Sequence, residues 1–220
     1  MPHRTFFHAG RVTRMTETPP VSTATPLDAW LTALAQPNGA PGGGAASGVI
    51  LAVSAGLLHM VAEYTDDARA AESAERLSGA RREALRAAEA DGARSAAFGA
   101  ALALPTDDPE RDRRVADAAV SASESSVGLG AAGARFLPDL ELLAEIANPA
   151  VAADLAIAAE SLALGISGAT INLRTDLRLA RKHGANATAC DALQREAERL
   201  ADARSRASAI AQRVRAQLDD

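Results

Sequence analysis

The sequence predicts an all-α fold, an up-and-down bundle of long helices, and three observations carry that expectation. Hydrophobic residues make up 48% of the chain but aromatic residues only 3%, so the core must be built from alanine, leucine, valine and isoleucine. Alanine and leucine are strong helix formers. No segment alternates apolar and polar residues as a strand does, and no repeat unit recurs. Helix start and stop signals divide the chain into long periodic stretches joined by short loops, the pattern of antiparallel helical neighbours.

Residues 1–24 are polar, carry proline and lack the apolar stretch of a signal peptide. They read as a disordered tail ahead of one helical domain over residues 25–220. Thr25-Pro26-Leu27-Asp28 supplies a cap, a proline at the first position and an acid in the first turn, so a short helix runs to about Leu34. The loop from Gln36 to Gly44 follows. Pro41-Gly42-Gly43-Gly44 then opens a central helix to about Tyr64, with no Asp, Glu, Lys or Arg before Glu63. Gly44, Gly48, Ala52 and Gly56 fall four apart, giving a smooth face for close helix approach. Ala45 to Ala62 is long and apolar enough to raise the question of a membrane span. Ser47, Ser54 and His59 interrupt it and no second such span accompanies it, so it reads as a buried helix of a soluble bundle, with no membrane partner.

Asp66-Asp67 caps a helix from about Ala68 to Leu104, stopped by Pro105. Asp108-Pro109-Glu110 starts another, which the glycines at Gly128–Gly133 are expected to fray. A short helix runs from about Pro138 to Ile146. Asn148-Pro149 opens a long helix to about His183, stopped at Gly184, and the last helix spans about Thr188 to Leu218.

The net charge of −5 argues against nucleic acid, whose phosphates need a basic stripe. Glu110-Arg111-Asp112-Arg113-Arg114 mixes both signs and reads as a solvated face. Cys190 is the single cysteine, which excludes an internal disulfide or cysteine metal site and suits a reducing cytoplasm. His59 has no second ligand at metal spacing, and no metal is expected. The serines at 121, 123, 125 and 126 lack the strand–turn–helix setting of a nucleophile and read as solvating or bending their helix.

Three features break the background pattern. The bare N–H groups of a glycine-led helix start, at Gly42, Gly43 and Gly44, either cradle a ligand or form a turn before a core helix. Asp91 falls in the inward row Leu77, Ala84, Asp91, Phe98, where an ionised carboxylate is costly unless partnered. It is either a functional acid or a carboxylate that caps a helix or pairs with an arginine. The helix after Pro149 carries two stripes. One is greasy: Leu155, Leu162, Ile166, Leu173, Leu177. The other is small and polar, Asp154, Ala158, Ser161, Gly165, Gly168, Asn172 and Thr175, and either lines a cleft or permits close helix packing.

Pro41-Gly42-Gly43-Gly44-x-Ala46, Asp91, Leu104-Pro105, Asp112-Arg113-Arg114, Asn148-x5-Asp154-Leu155-x2-Ala158 and Asn172-Leu173 occur in that order. Together they resemble the cyclodeaminase/cyclohydrolase family: the formiminotetrahydrofolate cyclodeaminases and the related methenyltetrahydrofolate cyclohydrolases. The resemblance covers about residues 26–217. It implies an all-helical homodimer that binds a folate in a cleft at or near the subunit interface. It also implies Asp91 as the catalytic acid, with Gly42, Gly43, Gly44, Asn148, Asp154 and Asn172 as substrate-binding residues. No metal and no cofactor beyond the tetrahydrofolate substrate is implied. The implied activity is ring closure to 5,10-methenyltetrahydrofolate with loss of ammonia. The alternatives are cyclohydrolase activity, or a catalytically silent dimer that binds folate or a partner protein. The chain departs from the family pattern in three places. Gly92-Ala93-Arg94-Ser95 stands where members carry an acid and an aromatic, Asp176 where a second asparagine is expected, and Ser125-Ser126 where a proline is usual.

Overall fold

A computed structural model describes residues 22–37 and 40–218, and within them the chain forms seven α-helices and one 3-10 turn, with no strand. The helices are α1 (Leu27–Leu34), α2 (Gly43–Glu63), α3 (Ala68–Leu102), α4 (Arg111–Ala134), α5 (Leu137–Ile146), α6 (Ala152–Lys182) and α7 (Ala187–Ala216), with the 3-10 turn at Pro149–Val151 before α6. Long helices consecutive in the chain, α2 with α3, α3 with α4 and α6 with α7, run antiparallel. α2 packs between α3 and α6, α4 closes the layer against α3 and α6, and α7 lies on α6 and α4.

Local chemistry fixes the ends. The Asp67 side chain accepts from Arg69 N at 2.8 Å and caps α3. At the other end of α3, Arg111 Nε donates to Leu104 O at 3.1 Å and its Nη2 to Leu102 O at 3.3 Å, meeting carbonyls the helix leaves orphaned. The expected solvated face at residues 110–114 is therefore partly structural. His183 Nδ1 lies 2.8 Å from Asp112 Oδ1 and ties the end of α6 to the start of α4. Gly184, at φ 81°, ends α6 while Ala185 N donates to Ala180 O.

The core follows the predicted stripes. Leu155, Leu162, Ile166, Leu173 and Leu177 are all buried, as are Leu77, Ala84, Asp91 and Phe98 on α3. Small residues set the helix spacing. A side chain at Gly48 would overlap Ala88 Cβ and stand 3.0 Å from its Cα, and one at Gly165 would strike Leu51. Ser54 Oγ donates to Ala158 O at 2.9 Å across this seam. The small polar stripe of α6 is thus a packing surface along its middle. The smooth face of α2 ends earlier than expected, because Gly56 has nothing within 4 Å.

Three expectations are corrected. α4 does not fray at its glycines; Gly130 and Gly133 are helical and make room for Leu200 and for Leu51 and Ile166. α2 is not alone in its apolarity, since the Pro149–Lys182 stretch is also long and apolar enough to cross a membrane by length and composition. The two pack on each other within the bundle, each with about half of its apolar window buried. The expected disordered tail lies outside the described residues up to position 21. Ser22 and Thr23 are ordered: Glu89 accepts from Thr23 N at 2.8 Å, Thr23 Oγ1 at 2.9 Å and Ser22 Oγ at 3.1 Å.

Gly48→Ala is expected to lower stability by about 1–3 kcal/mol through overpacking against Ala88. Gly79→Ala, on α3 with nothing within 4 Å of the new methyl, is expected to raise it by about 0.5–1 kcal/mol. Urea midpoints of the two variants, moving in opposite directions, check the close approach.

Candidate active site

The N-terminal end of α2 is where the interior acid meets the glycine run. Gly43 is exposed, Gly44 is buried and Gly42 is the helix cap, with no side chain to satisfy the first N–H groups. A methyl on Gly44 would stand 2.6 Å from Asp91 Cγ, closer still to Oδ2, and 3.0 Å from Asn172 Nδ2. The carboxylate of α3 and the amide of α6 therefore meet across the bare backbone of α2. Gly43 adds a contact with Asn172 Oδ1, at 3.9 Å from its missing Cβ. Ser47 Oγ donates to Gly43 O at 2.7 Å and fills the space that a side chain at Gly168 would need.

Asp91 is 3% exposed. Burial pushes its pKa up, and the hydroxyls of Ser125, Ser95 and Ser126 only partly oppose that. Ser126 Oγ is itself fully enclosed. The other buried aspartate behaves differently. Asp139 accepts from Ser73 Oγ at 2.8 Å and from Arg76 Nε at 3.0 Å and Nη2 at 2.7 Å. Asp139 is thus the arginine-paired structural acid, while Asp91 is held among hydroxyls, an amide and glycine backbone.

A second carboxyl joins Asp91. Burial, and then the negative charge of Asp91, push Asp176 up to about 7. Its sequence neighbours Arg174 and Arg178 make it look like one member of a surface ion-pair row, so sequence reading noted it only as a departure from asparagine. Ser125 and Ser126 were also missed as site residues; their position one helix away from Asp91 has no local signature.

Two predicted site residues lie elsewhere. Asn148 caps the 3-10 turn by accepting from Ala150 N at 3.0 Å, donates Nδ2 to Tyr64 O at 3.0 Å and donates its own N–H to Thr65 Oγ1 at 3.1 Å. It sits at the C-terminal end of α2, about 30 Å from Gly43 at 1.5 Å per residue. Asp154 lies in the first turn of α6, about 27 Å along the helix from Asn172 at the same rise. Within one protomer, neither joins the group formed by Gly44, Asp91 and Asn172. Their sequence pattern suited a site; their geometry is that of a helix start.

Among the described residues no cluster of three or more His, Cys, Asp or Glu could hold a metal ion. A small cavity beside Trp30, also lined by Glu89 and Gly92, holds about 10 Å³. That is room for about one water at most.

An acid without a cation, seated on a glycine-led helix start inside an antiparallel all-α bundle, defines a class of helical proteins with an interior carboxylate site. The sequence model of the formiminotransferase-cyclodeaminase family matches residues 26–203, and the chain belongs to that family. The crystal structure of formiminotetrahydrofolate cyclodeaminase from Thermotoga maritima has the same fold. It matches with a TM-score of 0.73 over 88% of this chain and 96% of that one, at 21% identity. No curated protein sequence matches the chain.

The raised Asp176 value has a consequence for stability. A carboxyl near 7 in the folded chain and near its ordinary 3.8 when unfolded keeps a proton in the native state that the unfolded state has released. Stability is therefore expected to fall as pH rises from about 4 to about 7 and to level off above that. Asp176→Asn should reduce this slope, leaving the part that the raised Asp91 contributes, and raise Tm at pH 8, by roughly 2–4 °C for each kcal/mol relieved. Calorimetric melting of both proteins between pH 4 and 8 measures it.

Proposed function

We propose that the protein is a folate enzyme that closes the ring of a formiminotetrahydrofolate, releasing ammonia and forming 5,10-methenyltetrahydrofolate. The observation that carries this reading is Asp91: buried, without a cationic partner among the described residues, and set with Asn172 around the bare backbone of Gly44. Family membership and the shared fold support it.

The reacting nitrogen and the formimino carbon are tethered in one substrate, so the enzyme's task is orientation and charge management rather than capture of a second reactant. The attacked carbon carries cationic amidine character, which a sheltered carboxylate steadies. The same carboxylate can take the proton that the attacking nitrogen loses. The open main chain of Gly42, Gly43 and Gly44 lets a flat pterin lie close and offers N–H donors, and the Asn172 amide offers both a donor and an acceptor. No step needs a metal or a nucleotide, and the setting we propose is the cytoplasm.

The site faces a second copy of the chain in this reading. Ile157, Leu164 and Ile171 of α6 are 55%, 58% and 61% exposed, and Val53 of α2 is 51% exposed. The three α6 residues are spaced seven apart, so they form one stripe with Leu164 at its centre. Such a stripe is self-complementary about a two-fold axis through Leu164, which sets Ile157 of one copy against Ile171 of the other. The same axis carries Asp154 of one copy toward Asn172 of its partner. A homodimer built this way reunites residues that a single protomer keeps apart.

Purified protein given 5-formiminotetrahydrofolate is expected to build up the methenyl chromophore. Asp91→Asn should abolish that rate while leaving the melting temperature unchanged or raised. If instead methenyltetrahydrofolate disappears faster than in buffer and the formimino substrate is inert, the cyclohydrolase reading replaces this one. Leu164→Glu is expected to give monomers in sedimentation and to reduce turnover together with dimer content; a fully active monomer would refute the shared site.

A further inference from the structure

We propose that Asp176 is a second catalytic acid, paired with Asp91 across one shared proton, and that it delivers that proton to the nitrogen that leaves. The proposal rests on the cyclodeaminase reading above and divides between two carboxyls the work given there to one.

The placement comes from the helices. Asp176 lies one turn beyond Asn172 on α6 and so shares its face. Asn172 Nδ2 already meets Asp91 across Gly44. The two acids thus approach the N-terminal end of α2 from α6 and α3, and both are removed from bulk water, Asp91 fully and Asp176 in part. From α4, the Ser125 and Ser126 hydroxyls lie beside the Asp91 carboxylate, Ser126 buried, so this side of the pair is lined by neutral donors.

The surrounding charges leave the pair to itself. α2 carries no titratable side chain before His59. On α3, Arg94 is turned to Ser121 Oγ of α4, and on α4 Glu124 is exposed. Arg174 and Arg178, on α6 itself, are exposed, and on α7 Asp191 faces Arg181. Only the charge of Asp91 acts on Asp176. Two carboxylates at one opening do not both ionise readily, so the pair holds a proton into the neutral range and titrates as a unit. The asparagine implied here by family resemblance would hydrogen-bond but could not give up a proton; an aspartic acid can.

The balance closes with these two groups. The formimino substrate enters as its protonated amidine. Its second nitrogen attacks the formimino carbon, a C–N bond forms, and the Asp91 carboxylate takes the proton from the attacking nitrogen. The tetrahedral carbon then carries an amino group. Asp176 gives that group its proton, the old C–N bond breaks, ammonia departs, and the methenyl cation remains. Asp91 now holds the proton that Asp176 has lost, so one transfer between them restores the starting pair. An acid that titrates near working pH is best placed for such a transfer.

Infrared titration of the substrate-free protein tests the pairing independently of activity. In the wild type, the protonated-carboxyl C=O band is expected to persist toward pH 7. Asp176→Asn should remove this neutral-range step, and Asp91→Asn should move it to lower pH. A wild type whose carboxyls all titrate in the ordinary range would overturn the proposal. With formiminotetrahydrofolate, Asp176→Asn is expected to lower kcat by about 10²- to 10⁴-fold, with KM nearly unchanged and the alkaline fall of the kcat profile lost. A variant with wild-type kcat and profile would overturn the delivery role, even with the infrared step present. A wild type that shows the infrared step but does not turn over the substrate would refute the reaction, and the delivery step with it, while establishing the shared proton. Asparagine is isosteric with aspartate, and the variant's melting temperature confirms that it folds.

Discussion

The Asp91 carboxylate occupies the volume that any side chain at position 44 would fill, and the arrangement of the bundle's open end follows from that contact. Because Gly44 presents only backbone, α3 comes in against α2 there, and again at Gly48, where Ala88 takes the vacated space. Asn172 then reaches the same point from α6. The start of a helix carries partial positive charge and bare N–H groups, which favour an anion. Burial works against the anion, and the net direction at Asp91 is upward, so desolvation outweighs the serine hydroxyls around it. A carboxyl balanced between these influences is ready to change its protonation state, as an acid–base group must be.

Asp139 shows what the same residue does when only structure is asked of it. Burying a carboxylate costs several kcal/mol unless it is paired and hydrogen-bonded. Arg76 and Ser73 supply the partners at Asp139 and lock α5 onto α3. Removing one of them would strand a charge. At Asp91 the stranding is built in. The hydroxyls around it are neutral, and its charge in turn pushes up the carboxyl of Asp176. A fold selected only for stability would place an arginine or an apolar residue here. Burying two acids side by side gives up stability, a cost that is common at functional sites.

The legibility of this chain in sequence divides along physical lines. Helix identity was readable because alanine-rich composition, Asp67 and the Pro105 stop act locally. Asp91 was readable because a lone acid in an apolar stripe conflicts with its own helix. Asp176 was not, since its neighbours Arg174 and Arg178 satisfy it on paper, and only the packing of α6 against α2 and α4 brings it to Asp91. The glycines of α4 were misread for a related reason. Propensity sees Gly130 and Gly133 as breakers, whereas Leu200, Leu51 and Ile166 need the room they leave. The apolar length of α6 was missed because charges near its start hide the window beyond them. Asn148 shows the converse case: an Asn-Pro pair fits both a binding motif and a helix cap, and within one protomer its hydrogen bonds to Ala150 N and Tyr64 O are those of a cap.

The two ends of the bundle are chemically unequal, and that inequality explains where the site lies. At the C-terminal end of α2 the chain closes on itself. Tyr64 O accepts from Asn148 Nδ2, Thr65 Oγ1 both donates to Val61 O and accepts from Asn148 N, and the 3-10 turn covers the junction. Within one protomer these hydrogen bonds occupy polar groups of the junction. At the N-terminal end, the cap residue is glycine, no side chain closes the first turn, and Gly43 is open to solvent. The mid-bundle seam, where Gly165 and Ser54 let α2 and α6 touch, holds the two ends at fixed separation. The closed end therefore anchors the helices, and the open end can keep unpaired donors and two uneasy acids in register. Reactive groups held by rigid helices on a well-packed base keep their geometry through a catalytic cycle, which a loop-borne site would have to recover at each turnover.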